Sequence, residues 1–451
     1  MSNKIPSVQI LNTIRPDNAG TGEPILLYES LPELVEGYDK TSSARFRTFL
    51  DAEEGSFVEN IRAKQVASEF LTKVAKKAIE APEYDGANLW AGRYTEASSE
   101  LYGAPNKVVA EKLIQDEYNF FKSLDGDRNV SPEQLNVLLA AYEPLVQSSS
   151  TSKGCENQPD DKEKMAMQAF GGALIDAYGP IFEAVGDDAN RTILPGDFIT
   201  LFKSAKNWLA EEHSATWKDW KVVETGGNSL SMSSASNEIR VPKNRQSSSA
   251  AETRGLLGHE LLAHGVRPQN GYLTGFEEFG KGLAGWTDTE EGLGVAIEYA
   301  LTGNLPDKIT SRYIDIALAM GTVDGKQKTR SELFKISFAR KYVQTQLEGT
   351  VIDAAAIQDM TLGMWGHIDR IYRGGRGDTF TPNQAIFTKD IIYFTGYTDI
   401  AGFIVKQIDN GRSARDVMEF LLSGRFNPID PKHIDWIESN VDSKVRQKFV
   451  F

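Results

Sequence analysis

The sequence predicts a mainly α fold, of α+β class, on three observations. Apolar residues recur at helical spacing through most of the chain. Residues with β-type patterning are confined to 217–242, around Gly226-Gly227, where they read as a hairpin or the edge of a small sheet. No segment repeats at a fixed period, which excludes a solenoid of stacked units.

In order, residues 1–50 carry Pro and Gly punctuation and read as an extended N-terminal arm. Residues 51–147 form an N-terminal helical region. Phe57, Ile61, Val66, Phe70, Leu71 and Val74 keep helical spacing until Pro82 ends the run, and further helices are expected near 87–101, 106–124 and 131–146. The stretch "SSSTSKGCENQPDDKEK", 148–164, is polar and rich in turn formers, hence a linker or exposed loop. Residues 165–451 are read as one catalytic-type domain. Its helices are expected near 165–186 and 196–212, then, after the β-element, near 249–266, 288–302, 309–320, 330–345, 353–372, 387–408, 413–423 and 430–440.

Composition narrows the classes of function. With 49 Lys+Arg against 63 Asp+Glu, the chain carries a formal charge of −14. Sequence-independent binding to nucleic acid or to an anionic membrane needs clustered cations, so neither is expected as a partner. Cys155 is the single cysteine, which rules out an intramolecular disulfide and any Cys-rich zinc module. No apolar run is long enough to span a bilayer and no signal-peptide pattern opens the chain, so a cytoplasmic location is expected. Two short matches are set aside. Asp125, Asp127 and Asn129 alternate like a calcium loop, but Val130 replaces the turn glycine and Asn136 the bidentate glutamate. The "RGD" at 376–378 is a tripeptide of the kind that recurs by chance.

The chemistry concentrates in "GHELLAHG", 258–265. Ser249 with Glu252 three residues on makes a capping-box start for this helix, and Gly265 with Pro268 marks its expected end. His259 and His264 are five residues apart, not the four that let two imidazoles share a metal on a regular helix. At about 100° per residue a five-residue step turns them roughly 140° apart. A π-bulge or an unwound last turn would absorb the extra residue, and such distortions gather at functional sites. Downstream, Thr287 and Glu290 suggest a second capped helix closed by Gly303. Glu291 in its first turn offers a carboxylate, with Gly292 and Gly294 allowing another helix close. His259, His264 and Glu291 are then candidate metal ligands, with an open fourth position for zinc. Glu260 is a candidate general base, moving a proton from a zinc-activated water to the leaving amine. The competing reading is a hydrogen-bonded patch in a leucine-rich core.

Three blocks, "RGLLGHELLAHGVRPQNG" (254–271), "GLAGWTDTEEGLG" (282–294) and "RGGRGDTFTPNQAIFTKDIIYFTGY" (373–397), together with "LYGAP" (101–105), carry a resemblance to a known family. The chain resembles the metallopeptidases that include the microtubule-associated tyrosine carboxypeptidases and bacterial QEGLA-motif proteins. The resemblance implies a zincin-like helical core, one Zn2+ held by His259, His264 and Glu291, and Glu260 as catalytic base. Glu290 and Gly294 depart from "QEGLA", while Glu291 matches its glutamate.

A zinc carboxypeptidase acting on the C-terminal tail of a peptide or protein is therefore expected. Arg267, Arg373, Arg376 and Lys389 are candidates to hold the substrate carboxylate, because cations suit that group. Tyr393 is a candidate donor to the oxyanion. The alternatives are a zinc-stabilised, non-catalytic regulatory or binding protein, and an aminopeptidase or endopeptidase using the same zinc. An acidic tubulin tail does not suit a chain of this charge with no long basic arm.

Overall fold

A computed structural model describes residues 95–440, apart from 97, 100, 101, 149–160, 187, 227–229, 234, 235, 244, 246, 284 and 373–384. The expected arm, the helix ending at Pro82, Cys155 and residues 149–160 of the expected linker lie outside the described residues. So do Arg373 and Arg376.

The described chain is mostly helical. In order it forms α1 (Lys107–Ser123), α2 (Pro132–Ser148), α3 (Asp161–Tyr178), α4 (Pro180–Glu183), α5 (Asp197–Trp208), α6 (Ala250–Gly258), α7 (Arg267–Leu273) and α8 (Glu277–Lys281). There follow α9 (Trp286–Thr302), α10 (Asp307–Met320), α11 (Arg330–Leu347), α12 (Ala354–Ile371), α13 (Ile392–Asp409), α14 (Ala414–Leu421) and α15 (Pro431–Asn440). Short strands are β1 (Thr192–Ile193), β2 (Lys221–Thr225), β3 (Ser231–Ser233), β4 (Glu238–Pro242) and β5 (Ser248–Ser249). None of the described helices is long and apolar enough to cross a membrane.

Local chemistry explains the helix starts. The Asn106 side chain accepts from the N–H groups of Val108 and Val109 ahead of α1. Thr329 and Glu332 form a capping box on α11, and Asp353 and Ser413 cap α12 and α14. Each satisfies N–H groups that a helix start leaves without partners. Asp127 instead accepts the N–H of Asn129 at 2.8 Å, a turn contact in the loop that mimics a calcium sequence.

The chain divides into two compact units. Among the described residues, those at 95–148 and 310–391 form one, and those at 161–309 and 392–440 form the other. The sequence reading ran 165–451 as one domain, whereas 310–391 groups with the N-terminal helices. Periodicity tells which face of a helix is buried and not which neighbour buries it.

In the first unit the Arg340 guanidinium donates to Asp315 at 2.9 Å, to Glu117 at 3.0 Å and to the Tyr142 hydroxyl. His367 contacts the other Asp315 oxygen at 2.8 Å. This cluster draws on α1, α2, α10, α11 and α12, and its mutual pairing offsets the cost of burying charge.

The second unit has an apolar core drawn from Phe170, Phe202, Trp217, Ile239, Leu261, Leu293, Ile297 and Ile400, each with essentially no exposure. Its sheet has the order β2-β4-β3, with β4 parallel to β2 (Val222↔Ile239) and antiparallel to β3 (Met232↔Ile239). The expected hairpin corresponds to β3–β4, with β2 added on the other edge. Helix α9 runs through this unit in backbone contact with α13. A Cβ built on Gly292 would stand 2.1 Å from the Gly396 carbonyl carbon, and one on Gly396 would stand 1.9 Å from the Asp288 oxygen.

Candidate metal centre

The histidine helix begins as its sequence dictates. Ser249 Oγ accepts the Glu252 N–H at 3.2 Å, and the Glu252 carboxylate accepts the Ser249 N–H at 2.8 Å. After Gly258 the helix changes to π geometry over His259–Val266 and then resumes as α7. A π turn closes over five residues instead of four, so His259 and His264 come onto one face. Their ring centroids are 5.0 Å apart. The helix does not stop at Gly265 or Pro268 as expected. Pro268 falls in the first turn of α7, where the change of hydrogen-bond register leaves its missing N–H without consequence.

Glycines set the depth of the site. A Cβ on Gly258 would strike Leu301 and Ile297 at 2.6 and 2.7 Å, and one on Gly265 would strike Trp217 at 2.5 Å. A Cβ on Gly294 would lie 2.5 Å from His259 Nε2, so the imidazole lies flush against α9. Glu291, three residues earlier on α9, then faces both rings. Its Oε2 is 3.8 Å from His259 Nε2 and 3.7 Å from His264 Nε2. One ligand atom from each residue lies within 4.8 Å of the others, so the three could hold a metal ion. Ligands bonded to a tetrahedral zinc at about 2.0–2.2 Å stand roughly 3.4 Å apart. The donor set needs to close by only tenths of an ångström along both Glu291 edges.

The other ring nitrogens decide which atoms would face a metal. His259 Nδ1 contacts Glu298 Oε1 at 2.6 Å, and His264 Nδ1 contacts Glu290 Oε1 at 2.7 Å. With each Nδ1 held against a carboxylate, each Nε2 faces Glu291 and is the atom that would meet a metal, the arrangement that orients metal-bound histidines. Both carboxylates are backed by cations. Arg425 donates to Glu290 through two bonds of 2.7 and 3.0 Å while its guanidinium lies 4.4 Å over the Trp286 ring. Lys308 reaches Glu298 at 3.4 Å.

Electrostatics follow from this packing. Burial pulls the His259 pKa down, but Glu291 and Glu298 outweigh it and raise it to about 10; a bound cation would displace that proton. Burial pushes Glu298 up, yet its bond to His259 and the nearby positive charges bring it to about 2. Burial, only partly offset by the two histidines, raises Glu260, which is 8% exposed and outside the ligand group.

Sequence reasoning and structure part at several residues. Thr287 does not cap α9, which starts at Trp286 behind Gly285 at φ 76°. Glu290 is drawn instead to His264 and Arg425, stronger partners for a buried carboxylate than a backbone N–H. Arg267 is packed inside its unit and not presented at the surface. It is fully buried, donating to the Gly424 and Phe426 carbonyls at 2.8 and 2.6 Å, and burial lowers its pKa to about 10. Lys389 belongs to the other unit, half-buried at the start of a 3-10 turn. Tyr393 lies half-buried on α13, one turn before Gly396. Glu298 and Arg425 went unnoticed in the sequence. Glu298 carries a usable signal, since it follows Glu291 by seven residues, two helical turns on the same face. Arg425 carries none.

Two predictions arise here. Glu290→Ala and Arg425→Met should each weaken zinc binding by about 10–100-fold, measured by competitive titration, because both loosen the hold on His264. Unchanged affinity in both would mean that His264 is oriented by something else. Arg267→Ala should lower stability by about 2–4 kcal/mol in urea unfolding, since it strands two buried carbonyls; any KM change at matched folded fraction would contradict its purely structural placement.

Comparison with profiles of known protein families finds no match to this chain, and comparison with curated proteins finds none either.

Proposed function

We propose that the protein is a zinc-dependent metallopeptidase with a zincin-like core, a carboxypeptidase that removes C-terminal residues from a peptide or protein tail. One observation carries the reading. A buried carboxyl group, Glu260, follows the candidate ligand His259 in the chain without belonging to the donor set. A metal site that only stabilises a fold has no use for such a group, whereas a hydrolytic site needs it.

Two imidazoles and one carboxylate form the donor set of catalytic zinc sites, which keep a fourth position open. Zinc held there supplies Lewis acidity, polarising the scissile carbonyl and acidifying water. The residues of the chain do the rest. Glu260 accepts the proton of the attacking water and passes it to the leaving nitrogen. Glu290 and Glu298 hold the two imidazoles in the tautomer that leaves Nε2 free. Tyr393 is the candidate donor to the developing oxyanion.

The test starts from protein purified without added zinc. Metal analysis should find about one equivalent per chain. N-acetylated peptides with free C-termini should be hydrolysed, lose that hydrolysis on chelation and regain it with zinc. A folded protein that neither contains nor takes up zinc rejects the proposal. Cleavage confined to peptides with free amino groups, or internal cleavage of doubly blocked ones, replaces the carboxypeptidase reading with an aminopeptidase or endopeptidase.

A further inference from the structure

The helices of the metal centre are tied to a segment far along the chain. Residues 422–427 connect α14 to α15 without forming a helix or strand, yet their backbone is pinned repeatedly. Asn270 Nδ2 donates to the Leu422 carbonyl at 2.9 Å, and Arg267 donates to those of Gly424 and Phe426 at 2.8 and 2.6 Å. The Thr289 hydroxyl donates to the Phe426 carbonyl at 3.0 Å. The Leu283 N–H donates to the Arg425 carbonyl at 2.9 Å, and the Arg425 N–H to that of Phe279 at 2.8 Å. Gly424 lies flush on the Phe279 ring, where a Cβ would stand 2.4 Å from a ring carbon.

The side-chain donors sit on particular elements. Arg267 and Asn270 stand on α7, which continues the π segment carrying both histidines, and Thr289 stands on α9 immediately before Glu290 and Glu291. The strap is thus clamped to the two helices that supply the candidate ligands. It returns one side chain to them, Arg425, which is bidentate on Glu290, and Glu290 in turn holds His264 Nδ1. A guanidinium on a loose loop would have to be ordered to meet that carboxylate. One on a pinned backbone, stacked over Trp286, meets it already placed.

Asn270 is the clamp that stability explains least. It is 2% exposed, and its Oδ1 is buried with no hydrogen-bond partner among the described residues. Half of the amide is desolvated without return, a cost comparable to the gain from its bond to Leu422. A leucine would avoid that cost, but it would not hold the strap.

We infer that Asn270 is a positioning residue for the metal centre: by holding the 422–427 strap it sets where Arg425 meets Glu290, and through Glu290 how His264 is aimed. This rests on the zinc reading above. Asn270 is outside the donor set and acts through Leu422, Arg425 and Glu290 in turn. A clamp that served stability alone would lower Tm when lost and leave the metal geometry as it was.

The experiment uses the full chain, titrated competitively with zinc and, separately, loaded with Co2+, whose visible spectrum reports the geometry of its ligands. Asn270→Leu strands the Leu422 carbonyl but removes the stranded Oδ1, so Tm should stay near that of the parent. Zinc binding should nevertheless weaken by about three- to tenfold, a fraction of the 10–100-fold typical of groups that touch a ligand directly, and the Co2+ spectrum should change. In an Arg425→Met background the same substitution should weaken zinc binding no further, because the relay is already cut. Gly424→Ala lifts the strap from Phe279 without removing a donor, and should reproduce the loss even if Asn270→Leu does not fold. Parent-like zinc affinity and Co2+ spectrum in the folded variants, or an Asn270 effect undiminished without Arg425, overturns the positioning role and leaves the zinc site standing. If the parent chain takes up neither metal, the zinc reading itself falls, and this role falls with it.

Discussion

Glu260→Gln is expected to retain a full complement of zinc while losing peptide hydrolysis by about 10²–10⁴-fold in kcat, the usual contribution of a positioned general base. The substitution keeps the shape of the side chain and removes its ability to accept a proton. Glu260 lies outside the group of atoms that could hold the ion, and the imidazoles are oriented by Glu290 and Glu298 instead. Metal binding should therefore not notice the change. Metal analysis and steady-state kinetics on the same preparation separate the roles. Wild-type turnover would move the base elsewhere; lost zinc would make Glu260 a ligand.

The largest structural effect is expected from Gly292→Ala. The added methyl would stand 2.1 Å from the carbonyl carbon of Gly396 and 2.6 Å from the Tyr397 nitrogen, and neither is a side chain that can swing away. Overpacking a core by one or two carbons costs about 1–3 kcal/mol when neighbours can adjust. Here α9 and α13 must separate, so the cost should reach or exceed the top of that range. Because Glu291 is the next residue, the same displacement should draw its carboxylate away from the histidines and weaken zinc binding. Gly396→Ala strikes the same crossing from the other side, at the Asp288 carbonyl. The double variant should thus be less unstable than the sum of the two, because the helices need to part only once. Urea midpoints for the three variants test this, and an unchanged midpoint in either single variant would show that the helices can part without cost.

Much of the fold was legible residue by residue. The helix start read at Ser249 follows from a short polar side chain placed to accept a nearby N–H, which is decided within four residues, and the structure shows the same chemistry at Thr329 and Ser413. A distortion of this helix was legible too, as a π-bulge or an unwound last turn, because two histidines five positions apart cannot face one point on a regular helix; the structure takes the π form. Other features depended on partners far along the chain. Glu290 had the spacing of a capping residue and became the hydrogen-bond partner of His264, because Arg425 reaches it from 135 residues away. Arg267 had the placement of a helix-end cation and became a buried strut between α7 and the carbonyls of Gly424 and Phe426.

By itself, then, the sequence determined the mostly helical architecture and a distortion of the histidine helix, and it nominated the three side chains that converge. The architecture and the distortion depend on backbone periodicity and short-range hydrogen bonds, whereas the meeting of Glu291 with the histidines depends on the packing of two helices. Only the tertiary structure decided which nitrogen of each imidazole faces Glu291, which partners the buried arginines take, and that 310–391 packs with the N-terminal helices. A charged side chain's role is set by the partner it finds on burial, and that partner is chosen by the packing of elements distant in the chain.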